Sequence, residues 1–140
     1  MTNQIQIQLR QVSPSTSEAT MRSHRVLVDR PVEKGGADTG PMGGELFLAA
    51  VGGCFMSNLL AAARARQVAI SEIVTEVCGV IEDSPSRFSS LELRIATESV
   101  DAETLDRLVE IADRGCIMMN TLRGKLDVRI RTGEARALPA

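Results

Sequence analysis

The sequence contains no tryptophan and no tyrosine, and its three phenylalanines are the only aromatic residues besides one histidine. Proteins that bind single-stranded nucleic acid stack bases on aromatic side chains, and this chain offers almost none. The balance of charged residues also argues against a nucleic-acid partner. The 16 basic and 18 acidic residues leave a net charge of −2, whereas phosphate contacts need a concentrated basic face. Nucleic acid is therefore not an expected partner.

Histidine and cysteine are also scarce, with one and three residues respectively. A single histidine excludes a His-rich metal cluster, and we expect no metal. Three cysteines are too few, and odd in number, for the disulfide framework of a secreted domain. The first residues alternate polar and apolar side chains, without the basic and then apolar regions of a signal peptide. We therefore expect a cytoplasmic protein.

The 140 residues suit a single domain, residues 1–140, with 44% apolar side chains available for a core. Period-2 alternation predicts strands around residues 5–9, 18–29, 73–81, 88–96 and 126–130. Helical patterns separate them, in the order β-β-α-β-β-α-β. This order predicts an α+β domain with a mostly antiparallel sheet and two helices.

The first predicted helix contains eighteen consecutive residues without a charge, 46–63. That length would admit a membrane span. The run holds two glycines, a serine, an asparagine and many alanines, so its hydrophobicity on an insertion scale is modest. We interpret it as a central helix buried in a soluble domain, ending near Gln67, and we expect no association with a membrane.

The second predicted helix begins at the N-capping residue Asp101. Its apolar positions follow the i, i+3, i+4, i+7 spacing of one helix face, and they are Leu105, Leu108, Val109 and Ala112. Cys116 continues this face, and Cys54 lies in the apolar run of the first helix. Cys78 lies in a predicted strand. Each cysteine could simply be a small buried hydrophobic residue.

Three segments resemble the OsmC/Ohr family of organic hydroperoxide reductases. They are residues 35–41 (GGADTGP), residues 45–54 (ELFLAAVGGC) and residues 116–122 (CIMMNTL), the last similar to the family's Cys-Pro-x-x-Asn-x-Leu segment. The resemblance covers roughly residues 24–131. It implies the OsmC-like fold and an interwoven homodimer with active sites at the interface.

By this resemblance Cys54 is the peroxidatic cysteine, which is oxidised to sulfenic acid, and Cys116 resolves it as a disulfide. The implied activity is a thiol-dependent peroxidase that reduces organic, lipid-type hydroperoxides in oxidative stress defence. Apolar neighbours of Cys54, namely Ala50, Val51 and Phe55, would favour an alkyl substrate. The reductant would be an external dithiol, either a lipoyl group or a small thiol, and no metal, haem or flavin is implied.

The chain departs from the family where an acidic residue would precede the cysteine by ten positions, because Gly44 stands there. Glu45 is nine before Cys54, and nine residues turn a helix by about 900°, to the opposite face. Glu45 is therefore either an acid that favours the helix N-terminus or, if the first turn is irregular, the catalytic glutamate.

The arginine that activates the cysteine in the family also has no unique counterpart. Arg10, Arg22 and Arg25 are candidates by region, and Arg22 and Arg25 would point to opposite faces of one strand. Ile117 replaces the family's proline after the second cysteine. These departures leave two alternatives open: a non-catalytic, dimeric binding or redox-responsive protein, and a purely structural subunit.

Overall fold

The computed structural model describes residues 1–133, which form two compact units, Met1–Phe47 and the chain from Leu48 onward. The helix α1 runs continuously across the boundary between them. The elements in chain order are β1 (Gln8–Gln11), β2 (Ser17–Met21), β3 (His24–Val28), α1 (Gly43–Ala65), β4 (Val74–Glu82), β5 (Arg87–Ala96), α2 (Ala102–Gly115), α3 (Ile117–Leu122) and β6 (Asp127–Thr132).

The N-terminal unit contains an antiparallel sheet in the order β1-β2-β3. The single strand expected over residues 18–29 is in fact a hairpin, so that prediction was wrong. Arg22 adopts a left-handed φ of 56° at the turn, and the chain reverses there to pair Met21 with His24. Strand β1 begins only at Gln8, which leaves Ile5 and Ile7 outside the sheet.

A buried carboxylate organises the loop that follows β3. Asp29 is 3% exposed, and its Oδ2 accepts hydrogen bonds from the hydroxyls of Thr16 and Thr39 at 3.0 and 2.8 Å. The backbone N–H groups of Ala37 and Thr39 donate to the same oxygen at 3.1 Å, and that of Arg30 donates to Oδ1 at 2.7 Å. Burial alone would raise the pKa of Asp29, but these hydrogen bonds hold it well below the ordinary value.

The second unit contains a sheet in the order β4-β5-β6, with β5 in the centre. Strands β4 and β5 are antiparallel, whereas β6 pairs with β5 in parallel. The prediction of mostly antiparallel pairing is thus confirmed, though the strands form two three-stranded sheets. Leu91, Leu93 and Ile95 on one face of β5 are at most 1% exposed and form the centre of this unit's core.

Helix α1 packs closely on this sheet because it carries a glycine at the contact. A Cβ added to Gly52 would lie 2.8 Å from Cγ2 of Val77 in β4, closer than packed carbon atoms approach. Val51, Phe55 and Leu59 on the same side of α1 are fully buried. The helix therefore contributes one well-packed face to the core.

The central helix expected from the sequence contributes one face to the core, and its opposite face is exposed within residues 1–133. Only 33% of its most apolar stretch is buried, because a three-stranded sheet covers a helix from one side. Within residues 1–133, α1 is the one helix whose length and composition would allow it to cross a membrane. The exposed small or apolar residues along the middle of α1 include Ala49, Ala50, Gly53, Leu60 and Ala61.

Helix α2 begins as predicted, since Oδ1 of Asp101 accepts the N–H of Thr104 at 2.8 Å. It also ends at the glycine that follows its apolar stripe. Gly115 is its last residue, and Cys116 has extended backbone (φ −81°, ψ 117°) before a short helix α3. Cys116 therefore lies at the junction of two helices and not on the face of α2.

We predict that Asp29→Asn destabilises the protein at neutral pH and lowers its melting temperature by several degrees. An amide cannot accept all the hydrogen bonds that the carboxylate accepts. Because the pKa of Asp29 is lowered in the folded state, its contribution is present above the ordinary carboxyl pKa of about 4 and is lost as the pH falls through the folded value. Thermal melts between neutral and strongly acidic pH should show the difference between wild type and variant shrinking with acidification.

The matched control is Asp38→Asn, the same chemical change at an exposed position of the same loop. It should leave the melting temperature nearly unchanged. An equal loss in both variants, or a wild-type advantage that does not depend on pH, would show that the Asp29 carboxylate does not stabilise the loop.

Candidate active site

Two cysteines that are 62 positions apart in the chain lie side by side in the second unit. The Sγ atoms of Cys54 and Cys116 are 3.4 Å apart, and both thiols are free. Cys54 comes from the middle of α1, and Cys116 comes from the junction of α2 and α3. Closing this distance to the disulfide bond length of about 2.05 Å requires the sulfurs to move by about 1.4 Å.

The two thiols differ in their environment. Cys116 is 0% exposed, whereas Cys54 is half-buried and can be reached from outside. Burial raises the pKa of the Cys116 thiol, and the neighbouring Cys54 acts in the same direction. Cys116 therefore keeps its proton at neutral pH and donates its S–H to the Cys54 sulfur.

A third side chain, which the sequence patterns did not single out, also reaches Cys54. Asn58 lies one helical turn further along α1, and its Nδ2 donates to the Cys54 carbonyl oxygen at 2.9 Å. The same nitrogen is 3.9 Å from the Cys54 sulfur. The sequence does offer one indication of Asn58: apart from cysteine, only two residues in the run 46–63 have polar uncharged side chains, and Asn58 is one of them.

Cys78 does not join this pair. It is exposed in β4, where it is opposite Glu92 of β5. The face of β5 that carries Glu92 also carries Arg94, with which Glu92 forms an ion pair at 3.2 Å. Cys78 is thus on the charged face of the sheet, away from the buried apolar face.

The predicted catalytic glutamate has a local structural partner. Glu45 lies in the first turn of α1, and its Oε1 accepts the backbone N–H of Met42 at 2.9 Å. This contact satisfies one of the N–H groups that a helix start leaves unpaired. It matches the interpretation of Glu45 as a helix N-terminal acid, and a catalytic role for Glu45 stays a prediction.

The candidate arginines belong to the N-terminal unit, and each lies in a different setting. Arg10 in β1 forms an exposed ion pair with Glu18 at 3.7 Å. Arg22 is at the turn between β2 and β3, and Arg25 is in β3 opposite Thr20. The expectation that Arg22 and Arg25 share one strand was wrong. Their predicted role toward Cys54 stays untested.

Among residues 1–133, no group of three or more His, Cys, Asp or Glu side chains is placed to hold a metal ion. The reactive side chains described at the site are the two thiols, with the Asn58 amide beside them.

Comparison with known proteins identifies the family. The family model described as OsmC-like protein matches residues 35–131. The chain belongs to the OsmC-like protein family. The match includes Cys54, Cys116 and Glu45 but begins after Arg10, Arg22 and Arg25.

Solved structures of OsmC-like proteins share the fold at low sequence identity. An OsmC-like protein from Mycoplasma pneumoniae is 18% identical with a TM-score of 0.82, covering 97% of this chain and 100% of that one. The organic hydroperoxide resistance protein OsmC of Legionella pneumophila is 17% identical (TM-score 0.73; 95% and 100% covered). OhrB of Bacillus subtilis, also an organic hydroperoxide resistance protein, is 23% identical (TM-score 0.68; 94% and 98% covered). No curated protein matches the chain in sequence.

We predict that one equivalent of an organic hydroperoxide joins Cys54 to Cys116 within one chain. The sulfurs are already 3.4 Å apart, and a sulfenic acid on either one would be within reach of the other thiol. Peptide mapping under non-reducing conditions should find the peptides of these two cysteines linked. Cys78→Ser should form the same link.

In Cys116→Ser the resolving thiol is missing, so Cys54 should instead accumulate sulfenic and then sulfinic acid. A bridge from Cys54 to Cys78, or bridges only between chains, would contradict the pairing.

Proposed function

We propose that this protein is a thiol-dependent peroxidase that reduces organic, lipid-type hydroperoxides to alcohols in oxidative stress defence. The observation that supports the proposal most strongly is the contact of an accessible thiol, Cys54, with a buried thiol, Cys116, at 3.4 Å. The names of the Legionella and Bacillus structures, which refer to organic hydroperoxide resistance, support the same substrate class.

In the first step the Cys54 thiolate attacks the terminal oxygen of the hydroperoxide ROOH. An S–O bond forms, the O–O bond breaks, and the alkoxide takes a proton to leave as the alcohol ROH. The sulfur loses two electrons and becomes sulfenic acid. The accessible sulfur is the one suited to this step, because the buried Cys116 cannot be approached by a substrate from solvent.

In the second step the Cys116 sulfur attacks the Cys54 sulfur. The S–S bond forms as the S–O bond breaks, and the hydroxide leaves with the Cys116 proton as water. An external dithiol then reduces the disulfide by thiol–disulfide exchange and is itself oxidised to a disulfide. A lipoyl group or a small thiol would serve as this reductant, and the cycle needs no metal, haem or flavin.

The surroundings of Cys54 support an apolar substrate, although not through all the residues expected from the sequence. Val51 and Phe55 are fully buried in the core, so they cannot contact a substrate. Ala50, one helical turn before Cys54, and Gly53, directly before it, are exposed. A small, uncharged helix surface next to the thiol favours an alkyl chain over a strongly hydrated peroxide.

We also propose that the protein acts as a soluble, cytoplasmic homodimer. The uncovered face of α1 is a stripe of mostly small, apolar residues with Ser57 among them: Ala49, Ala50, Gly53, Leu60 and Ala61. Such a stripe on a soluble protein calls for another surface to cover it, and small residues allow a second helix to approach closely. A second copy of this chain supplies that cover in the OsmC-like arrangement.

One observation favours the alternative, a non-catalytic redox-responsive OsmC-like protein. Gly44 stands where the family's catalytic glutamate lies, and the Glu45 carboxylate caps the start of α1. In this alternative the cysteines form the same disulfide, but peroxide is not turned over.

We predict that Cys54→Ser abolishes peroxide consumption in an assay with cumene hydroperoxide and dihydrolipoamide, because the nucleophilic sulfur is gone. Cys78→Ser should retain the wild-type rate, since Cys78 lies on the charged face of β4. Hydrogen peroxide should be consumed more slowly than cumene hydroperoxide by the wild type.

Equal consumption by wild type and Cys54→Ser would refute the catalytic assignment. A wild type that forms the Cys54–Cys116 disulfide without sustained turnover would establish the redox-responsive alternative instead.

We predict that the protein has twice the 15.1 kDa chain mass in solution and that Leu60→Glu lowers it to that of a single chain. A carboxylate in the middle of an apolar helix contact would lose its hydration without gaining a partner. Light scattering coupled to size-exclusion chromatography measures the mass. Glu110→Lys, an exposed change on α2, is the control, and a single-chain mass for the wild type would contradict the dimer.

A further inference from the structure

Two donors lie near the Cys54 sulfur. The buried Cys116 thiol donates to it at 3.4 Å, and Nδ2 of Asn58 is 3.9 Å from it. An amide N–H within reach of a sulfur stabilises the thiolate more than the thiol, because hydrogen bonding to a charged form favours that form.

Asn58 lowers the stability of helix α1 at its position. Asparagine is a poor residue for a helix interior, because its amide competes with the backbone for hydrogen bonds. The surrounding run 46–63 contains only one other polar uncharged side chain besides cysteine, Ser57, and that residue is exposed. Asn58 is half-buried and turns back toward Cys54.

The carboxamide oxygen of Asn58 lies close to the backbone of Gly115. A Cβ added to Gly115 would lie 3.3 Å from Oδ1 of Asn58, which is tighter than ordinary packing. The last residue of α2, just before Cys116, therefore leaves just enough room for the Asn58 oxygen. The Asn58 amide thus lies between the turn of α1 that carries Cys54 and the junction of α2 and α3 that carries Cys116.

We propose that Asn58 is a positioning residue for the Cys54 nucleophile, with its Nδ2–H donating to the Cys54 sulfur and favouring the thiolate. This proposal rests on the function proposed above, in which Cys54 attacks the peroxide. In the resting helix Nδ2 also donates to the Cys54 carbonyl at 2.9 Å, and its two hydrogens allow it to serve both acceptors. The donor compensates in part for the apolar surroundings of the thiolate.

The test measures the rate of Cys54 alkylation by iodoacetamide as a function of pH, in the absence of peroxide. A Cys78→Ser background removes the exposed thiol, and mass spectrometry of the Cys54 peptide separates its signal from that of Cys116. Asn58→Leu removes the donor at similar volume. Asn58→Asp keeps the shape, removes the donor and adds a negative charge beside the sulfur.

We expect Asn58→Leu to move the midpoint of the alkylation profile upward by about one pH unit, which is about tenfold slower alkylation below the midpoint. Asn58→Asp should move it further, because the carboxylate repels the thiolate. Ser57→Ala, at the adjacent exposed position of α1, is the matched control and should leave the profile unchanged. Circular dichroism and thermal melts confirm that each variant is folded, and the Asp variant decides the question if the Leu variant does not fold.

Profiles of both Asn58 variants that superimpose on the Ser57→Ala profile would overturn the proposal, as would equal displacements by Leu and Asp, which indicate a role in helix packing only. Because no peroxide is present, the outcome does not depend on turnover. A displaced profile in a protein that consumes no peroxide would support the role of Asn58 and refute the peroxidase.

Discussion

The contact between the Cys54 and Cys116 sulfurs constrains how the helices of the second unit can be arranged. Two side chains this short meet at 3.4 Å only if the backbones that carry them come close. On the α2 side Gly115 allows this approach, because a Cβ at that position would lie 3.3 Å from the Asn58 Oδ1 atom. On the side of the sheet Gly52 allows α1 to approach β4, because a Cβ at that position would overlap the methyl group of Val77. Gly52 and Gly115 are therefore placed where a helix must approach a strand or another helix closely.

The same contact explains why the second cysteine lies between two helices. In a regular helix the side chain of Cys116 would follow the stripe of Leu105, Val109 and Ala112, which is directed into the core. The break after Gly115 gives Cys116 extended backbone and places its sulfur against α1 while keeping it buried. The six-residue helix α3 then continues the chain toward β6. A local interruption of helical geometry is thus what brings the buried Cys116 sulfur to Cys54.

Much of this fold could be predicted from the sequence where the signal is local. Strand β5 buries every second residue in its second half, β6 alternates between half-buried and exposed residues, and the cap at Asp101 has its usual hydrogen bond. The hairpin at Arg22 could not be predicted, because its positive φ is adopted by a residue with no preference for it. The parallel pairing of β6 with β5 depends on contacts between residues more than thirty positions apart. At the site, family resemblance pointed to both cysteines. The contact of Asn58 with Cys54 could not be predicted, because it depends on the distance between the amide nitrogen and the sulfur in the folded helix.

The difference in burial between the two thiols sets the order of the proposed chemistry. Two neighbouring thiolates would repel each other, and each would compete for oxidant. Burial raises the pKa of Cys116, so its proton remains in the contact and is shared toward Cys54 as a hydrogen bond. Once Cys54 carries a hydroxyl group, that proton is the one needed to release water as the disulfide forms. The buried thiol therefore first supports the nucleophile as a donor and then replaces its oxygen, and a single arrangement of two sulfurs and one amide serves both steps.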